Sequence, residues 1–93
     1  ISAQKAFDIG LIQKVVPSEK LVEEALKIAD KIKKKGPLAV QAAKSASSRG
    51  LEETLERGLD IENEAFAEIC ETRDKNEGIS AFLGKRKPQF EGK

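Results

Sequence analysis

"SEKLVEEALKIADKIKKKGPLAVQAAK", residues 18–44, sets the architecture of the chain. Leu21, Val22, Ala25, Leu26, Ile28, Ala29 and Ile32 recur at the spacing that gathers side chains on one side of an α-helix. Ser18 is suited to cap that helix, and Glu19 favours its first turn. Lys33, Lys34 and Lys35 fall in the last turn, where positive charge complements the unpaired carbonyls, and Gly36-Pro37 closes it. Pro37 opens a second helix through "LAVQAAKSASSRG", residues 38–50, whose small side chains permit close packing before Gly50 ends it. The lysine run also invites a nucleic-acid reading. No aromatic residue interleaves it, so it reads as a helix end.

Working outward, the longest helix is predicted from about Leu51 to Thr72, with Leu51, Leu55, Leu59, Glu62, Phe66 and Ile69 on one side. Gly58 interrupts it at about 1 kcal/mol relative to Ala, which predicts a close backbone approach there. Arg73 to Lys75 read as a turn. Asp74 and Glu77 then make a capping box for a last helix from about Lys75, in which Ile79, Phe82 and Leu83 share a face. Toward the other end, Ser2 caps a short helix over residues 3–9, and Gly10 ends it as a left-handed residue. "LIQKVVP", residues 11–17, predicts a short strand: Ile12, Val15 and Val16 are β-branched, and Pro17 stops it. One strand cannot form a sheet alone, so partners are expected elsewhere, in a larger domain. The absence of Met, with Ile at position 1, points the same way.

At 93 residues the chain supports one domain with a modest core. Its formal net charge of +1 excludes polyanion binding driven by total charge, though not a local basic patch. There is no His and a single Cys, Cys70, which excludes a disulfide framework, a Cys/His metal set and His-dependent triads. Glu68 and Glu71 beside Cys70 oppose a thiolate, so that residue reads as packing. A reducing, cytoplasmic setting is the expectation, and no apolar run approaches a membrane span.

Signals for chemistry are sparse. Glu64, Glu68 and Glu71 share a helix face, but without a His they lack the partner usual in carboxylate metal sites of helical bundles, and read as a solvated surface. Glu62 lies on the apolar stripe, which predicts a buried carboxylate paired with a Lys or Arg of a neighbouring helix. Ser45, Ser47 and Ser48 have no base beside them, and no glycine-rich phosphate loop is present. No catalytic or metal-ligating residue is assigned.

Four stretches in order carry a family resemblance: "ISAQKAFDIGLIQKVVP" (1–17), "GPLAVQAAK" (36–44), "LERGLDIENEAF" (55–66) and "NEGISAFLGKRKPQF" (76–90). Together they resemble the end of the crotonase superfamily, the enoyl-CoA hydratase/isomerase family. The resemblance implies a mainly α fold: the helical, trimer-forming region that follows a spiral of ββα repeats. Residues 1–17 would be the last helix–strand piece of the core, and 18–93 the oligomerisation region. It implies a parent lyase that hydrates 2-enoyl-CoA to 3-hydroxyacyl-CoA in fatty-acid metabolism. The catalytic glutamates and oxyanion-hole amides would lie upstream of these residues, so the chain would not be competent alone. The implied partners are an acyl-CoA substrate and a homo-oligomer, trimer or hexamer, with no separate cofactor, nucleic acid or membrane. Other reactions of the scaffold, such as isomerisation or decarboxylation, remain open. So does a rival from another class, a stand-alone helical protein-interaction module.

The resemblance also places Phe82 and Lys85 near the coenzyme A nucleotide. An aromatic face can pack beside adenine and an ammonium can pair with a phosphate. Three positions apart, the two would share one helix face. Arg86 is a weaker candidate for the same contact. Gly84 departs from the family pattern, which often has Glu there, and glycine loosens the helix end that presents Lys85.

Overall fold

Helix α1 (Ala3–Asp8) begins where the sequence predicts: the Ser2 hydroxyl accepts from the Lys5 N–H at 3.1 Å. It ends on Gly10, whose φ of +75° lies in the left-handed region. Two bonds close the end. The Gly10 N–H donates to the Phe7 carbonyl at 3.0 Å, and the Leu11 N–H reaches back to Ala6 at 2.9 Å. The computed structural model describes residues 1–93 and divides into two compact units, 1–31 and 32–93.

The expected strand over residues 11–17 does not form; the chain there is irregular. β-Branched residues favour extended backbone, but a strand exists only in a ladder, and no second strand is present to pair with. The Ile12 N–H turns instead toward the Ala6 carbonyl at 3.4 Å, and Pro17 has none to offer. Ser18 is not a cap either. Residues Ser18–Lys20 form one 3₁₀ turn, and α2 (Leu21–Lys33) starts after it. Within α2, Glu24 pairs with both Lys14 and Lys27, the latter at 2.8 Å, while Lys27 also meets Glu23 at 2.6 Å. The Lys14 ammonium foremost, then Lys27, holds the Glu24 carboxyl at about 2, below its ordinary 4.5. The predicted apolar face of α2 is present as a stripe, but none of the helix is buried.

In the second unit α3 (Pro37–Gly50) packs on α4 (Leu55–Cys70). Pro37 sits at the first helical position, where its missing N–H is no loss. α4 starts four residues later than expected, because Thr54 supplies the cap: its hydroxyl accepts from the Arg57 N–H at 3.3 Å. The predicted approach at Gly58 is real, since a Cβ there would lie 3.7 Å from the Gly50 Cα. Ile61, only 2% exposed, is the anchor of α4.

Most of the predicted stripe on α4 is not covered; of its members only Ile69 is half-buried. Leu51 is 87% and Phe66 69% exposed, with Leu55 and Leu59 open as well. Glu62 lies on that open side and is exposed, so the buried ion pair expected for it is absent. Periodicity identifies residues that share a face, not the face that a neighbour covers. Here small residues, Gly58 and Ala65, let α3 in beside Ile61, while the larger side chains point away.

Candidate functional site

The chain from α5 (Arg73–Leu83) to Lys93 holds the sequence-predicted contact residues and most of the polar organisation of the second unit. α5 starts at Arg73, two residues before the expected point. Thr72 is its cap, accepting from the Lys75 N–H at 3.1 Å while its own hydroxyl donates to the Ile69 carbonyl at 2.7 Å. That corrects the capping box. Asp74 and Glu77 are already inside the helix and free for another task.

Their task is to hold the tail. Asp74 is buried, and its two carboxylate oxygens accept from the Glu91 N–H at 2.7 Å and the Gly92 N–H at 2.9 Å. Its own N–H donates to the Lys93 carbonyl at 3.0 Å. Glu77, one turn on, takes both arms of the Arg86 guanidinium at 2.6 and 2.8 Å, and accepts the Gln89 N–H at 2.7 Å. The Arg86 guanidinium foremost, then the Gln89 N–H, holds the Glu77 carboxyl at about 2, below its ordinary 4.5. Phe90 fastens the same segment by packing. A Cβ on Gly78 would lie 3.4 Å from its ring, and one on Gly36 3.7 Å.

α5 turns its small residues inward. Ala81 is 1% exposed, whereas Ile79, Phe82 and Leu83, the predicted apolar face, are all open, Phe82 at 83%. The helix stops at Leu83 with Gly84 as its cap residue, so Lys85 stands beyond the helix and shares no helical face with Phe82. The end repeats the hydrogen-bond pattern of α1: the Lys85 N–H donates to Phe82 at 3.2 Å, and the Arg86 N–H reaches Ala81 at 3.0 Å. Lys85 occupies the left-handed position, at φ +50°, and is the one residue other than glycine with positive φ.

Of the three cations Lys85, Arg86 and Lys87, Arg86 is engaged with Glu77, while the two lysines make no ion pair. The arrangement presents an open aromatic ring and a free ammonium, separated by one cap turn and backed by a fastened tail. Such a surface can stack on a planar ring and meet an anion. Elsewhere, Glu64 meets Arg57 at 3.5 Å, and no three acidic or Cys side chains gather closely enough to hold a metal. Cys70 is free and half-buried. No helix is long and apolar enough to cross a membrane. The roles of Asp74, Glu77 and Phe90 were missed in the sequence, where the capping pattern accounted for the two acids.

The chain belongs to the enoyl-CoA hydratase/isomerase family, whose model matches residues 1–93. It is 46% identical over 90 residues to the crotonyl-CoA hydratase of Syntrophomonas wolfei, covering 97% of this chain and 35% of that protein. Against the 2,3-dehydroadipyl-CoA hydratase of Escherichia coli it is 45% identical over 93 residues, the whole of this chain and 36% of the relative. The crystal structure of an enoyl-CoA hydratase from Bacillus anthracis superposes with a TM-score of 0.97 at 44% identity, over all of this chain and 36% of that one. The chain thus spans about a third of the length of the relatives it matches.

Proposed function

We propose that these residues serve as the C-terminal helical region of an enoyl-CoA hydratase-type lyase. They would supply the oligomer contact and the rim of the coenzyme A site, through Phe82 and Lys85. The parent reaction is hydration of a 2-enoyl-CoA to the 3-hydroxyacyl-CoA, with the catalytic carboxylates and the oxyanion donors supplied by sequence outside these residues. The relatives named as hydratases of CoA thioesters support that reaction over the isomerase alternative.

The observation that carries the coenzyme role is the state of Lys85. It is an unpaired cation three positions after the open Phe82, in a backbone conformation that lysine does not prefer. Assembly as a homo-oligomer belongs to this reading: the stripe Leu51, Leu55, Leu59 and Phe66 is open in these 93 residues and calls for a covering surface. A cytoplasmic enzyme acting on a soluble thioester is consistent with this reading.

Calorimetric titration of the chain with coenzyme A, with the mass in solution measured alongside, tests both parts. Binding by an oligomer that weakens on Lys85→Ala, more at low salt than at high, supports the reading. Affinity unchanged by Lys85→Ala at low salt removes the coenzyme contact, and a monomer removes the assembly role.

A further inference from the structure

We propose that Glu77, acting through Arg86, is a positioning residue that fixes Lys85 for contact with an anionic ligand, with Asp74 as the second fastening of the same strap. The inference rests on the coenzyme reading above for the identity of the ligand, a phosphate-bearing nucleotide. It adds the device that holds the contact in place.

The argument starts from a conflict in the backbone. A lysine at φ +50° sits where the Cβ crowds the following carbonyl oxygen, so alone the chain would relax to another cap. Such conformations persist where the surroundings over-determine them. Here the residue after Lys85 is tied at both its ends. The Arg86 N–H is bound to Ala81 at 3.0 Å, and its guanidinium forks onto both oxygens of Glu77 at 2.6 and 2.8 Å. Glu77 also takes the Gln89 N–H at 2.7 Å, so the chain is caught again three residues on. Asp74 repeats the capture at Glu91 and Gly92.

Both acids lie on one face of α5, three positions apart, so one helical turn grips the whole return of the tail. The strap takes Arg86 out of competition for the ligand, while Lys85, three positions after the open Phe82, makes no ion pair. Lys87, one residue past Arg86, also makes no ion pair; its carbonyl accepts from the Arg86 guanidinium at 3.4 Å, but it lacks the positive φ of Lys85.

The test uses the 93-residue chain with coenzyme A as probe at low salt, and reads the φ of Lys85 by NMR from its backbone shifts and its HN–Hα coupling. Glu77→Gln and Arg86→Gln remove the fork from opposite sides. Each is expected to erase the positive-φ signature of Lys85 and to weaken coenzyme A binding by about threefold, the scale of one exposed ion contact. Neither should weaken binding further in a Lys85→Ala background, because Glu77 acts through that lysine. Lys87→Ala should leave affinity unchanged. Arg86→Lys, which restores one arm, should recover part of the effect.

A Lys85 that keeps its positive φ in both Gln variants overturns the proposal. So does a loss of affinity that adds in full to that of Lys85→Ala, the mark of general loosening. If Lys85→Ala alone changes nothing, the coenzyme reading fails, whereas the φ measurement still decides whether Glu77 positions Lys85.

Discussion

The ends of α1 and α5 close with the same two hydrogen bonds, one from the left-handed residue and one from its successor. At α1 the left-handed residue is Gly10, with nothing within 4 Å of where a Cβ would be. At α5 the glycine comes one position early, as Gly84 at φ −78°, and Lys85 takes the strained place. Gly10 needs no support and receives none beyond the cap itself. Lys85 is followed by a tail fastened at Glu77 and Asp74. One end is set by local propensity, the other by bonds imposed from one turn of the same helix.

The largest expected effect comes from cutting the support. Asp74→Ala removes a buried carboxylate that accepts two backbone N–H groups, and should lower stability by about 2–3 kcal/mol. Urea unfolding gives the value, and amide exchange should quicken across residues 86–93 while residues 3–11 stay as they were. Uniform loss of protection in both regions would mean that the two ends are not independent.

Exchanging the residues at the two left-handed positions should give opposite signs. Gly10→Ala puts a Cβ into open space at φ +75°, so its cost of about 1 kcal/mol is backbone strain alone. Lys85→Gly should stabilise by a similar, slightly smaller amount, since the strain is relieved but the unfolded chain gains freedom. Thermal unfolding of the two variants checks the signs; a loss of stability in both would refute the comparison.

A smaller effect follows from pH. The Glu77 carboxyl is lowered in the folded chain, so what it contributes is fully present above the ordinary 4.5 and is lost as pH falls toward about 2. Glu24 titrates over the same window in the other unit. The Glu77 share is therefore read as the difference in melting temperature between the chain and Glu77→Gln. That difference should be constant above pH 5 and shrink below 4.5. A gap that stays level down to pH 2 would show that the Arg86 pairing does not persist in solution.

Much of this was legible in the sequence, for reasons particular to each element. Ser2 and Gly10 punctuate α1 because a hydroxyl cap and a left-handed glycine act locally, within three or four residues. Gly36-Pro37 marks the break between α2 and α3 for the same reason. The segment over 11–17 was misread because strand propensity says nothing of whether a partner exists. On α4 and α5 the apolar stripes were found but placed on the wrong side, since Ile61, Gly78 and Ala81 are covered while Phe66 and Phe82 are not. The strap was hidden by distance. Asp74 meets Glu91 and Gly92 seventeen and eighteen residues away, and the nearer pattern Asp74–Glu77 offered a local explanation. Phe82 and Lys85 came from the family resemblance, which does not reveal the left-handed turn between the helix and the lysine.

The most direct measurement takes Lys85→Gly and reads stability and coenzyme A affinity on the same sample at low salt. If the strained turn exists to present the ammonium, the variant will unfold at higher denaturant yet bind coenzyme A several-fold more weakly. A variant that is less stable, or that binds coenzyme A as well as the parent chain, would contradict it.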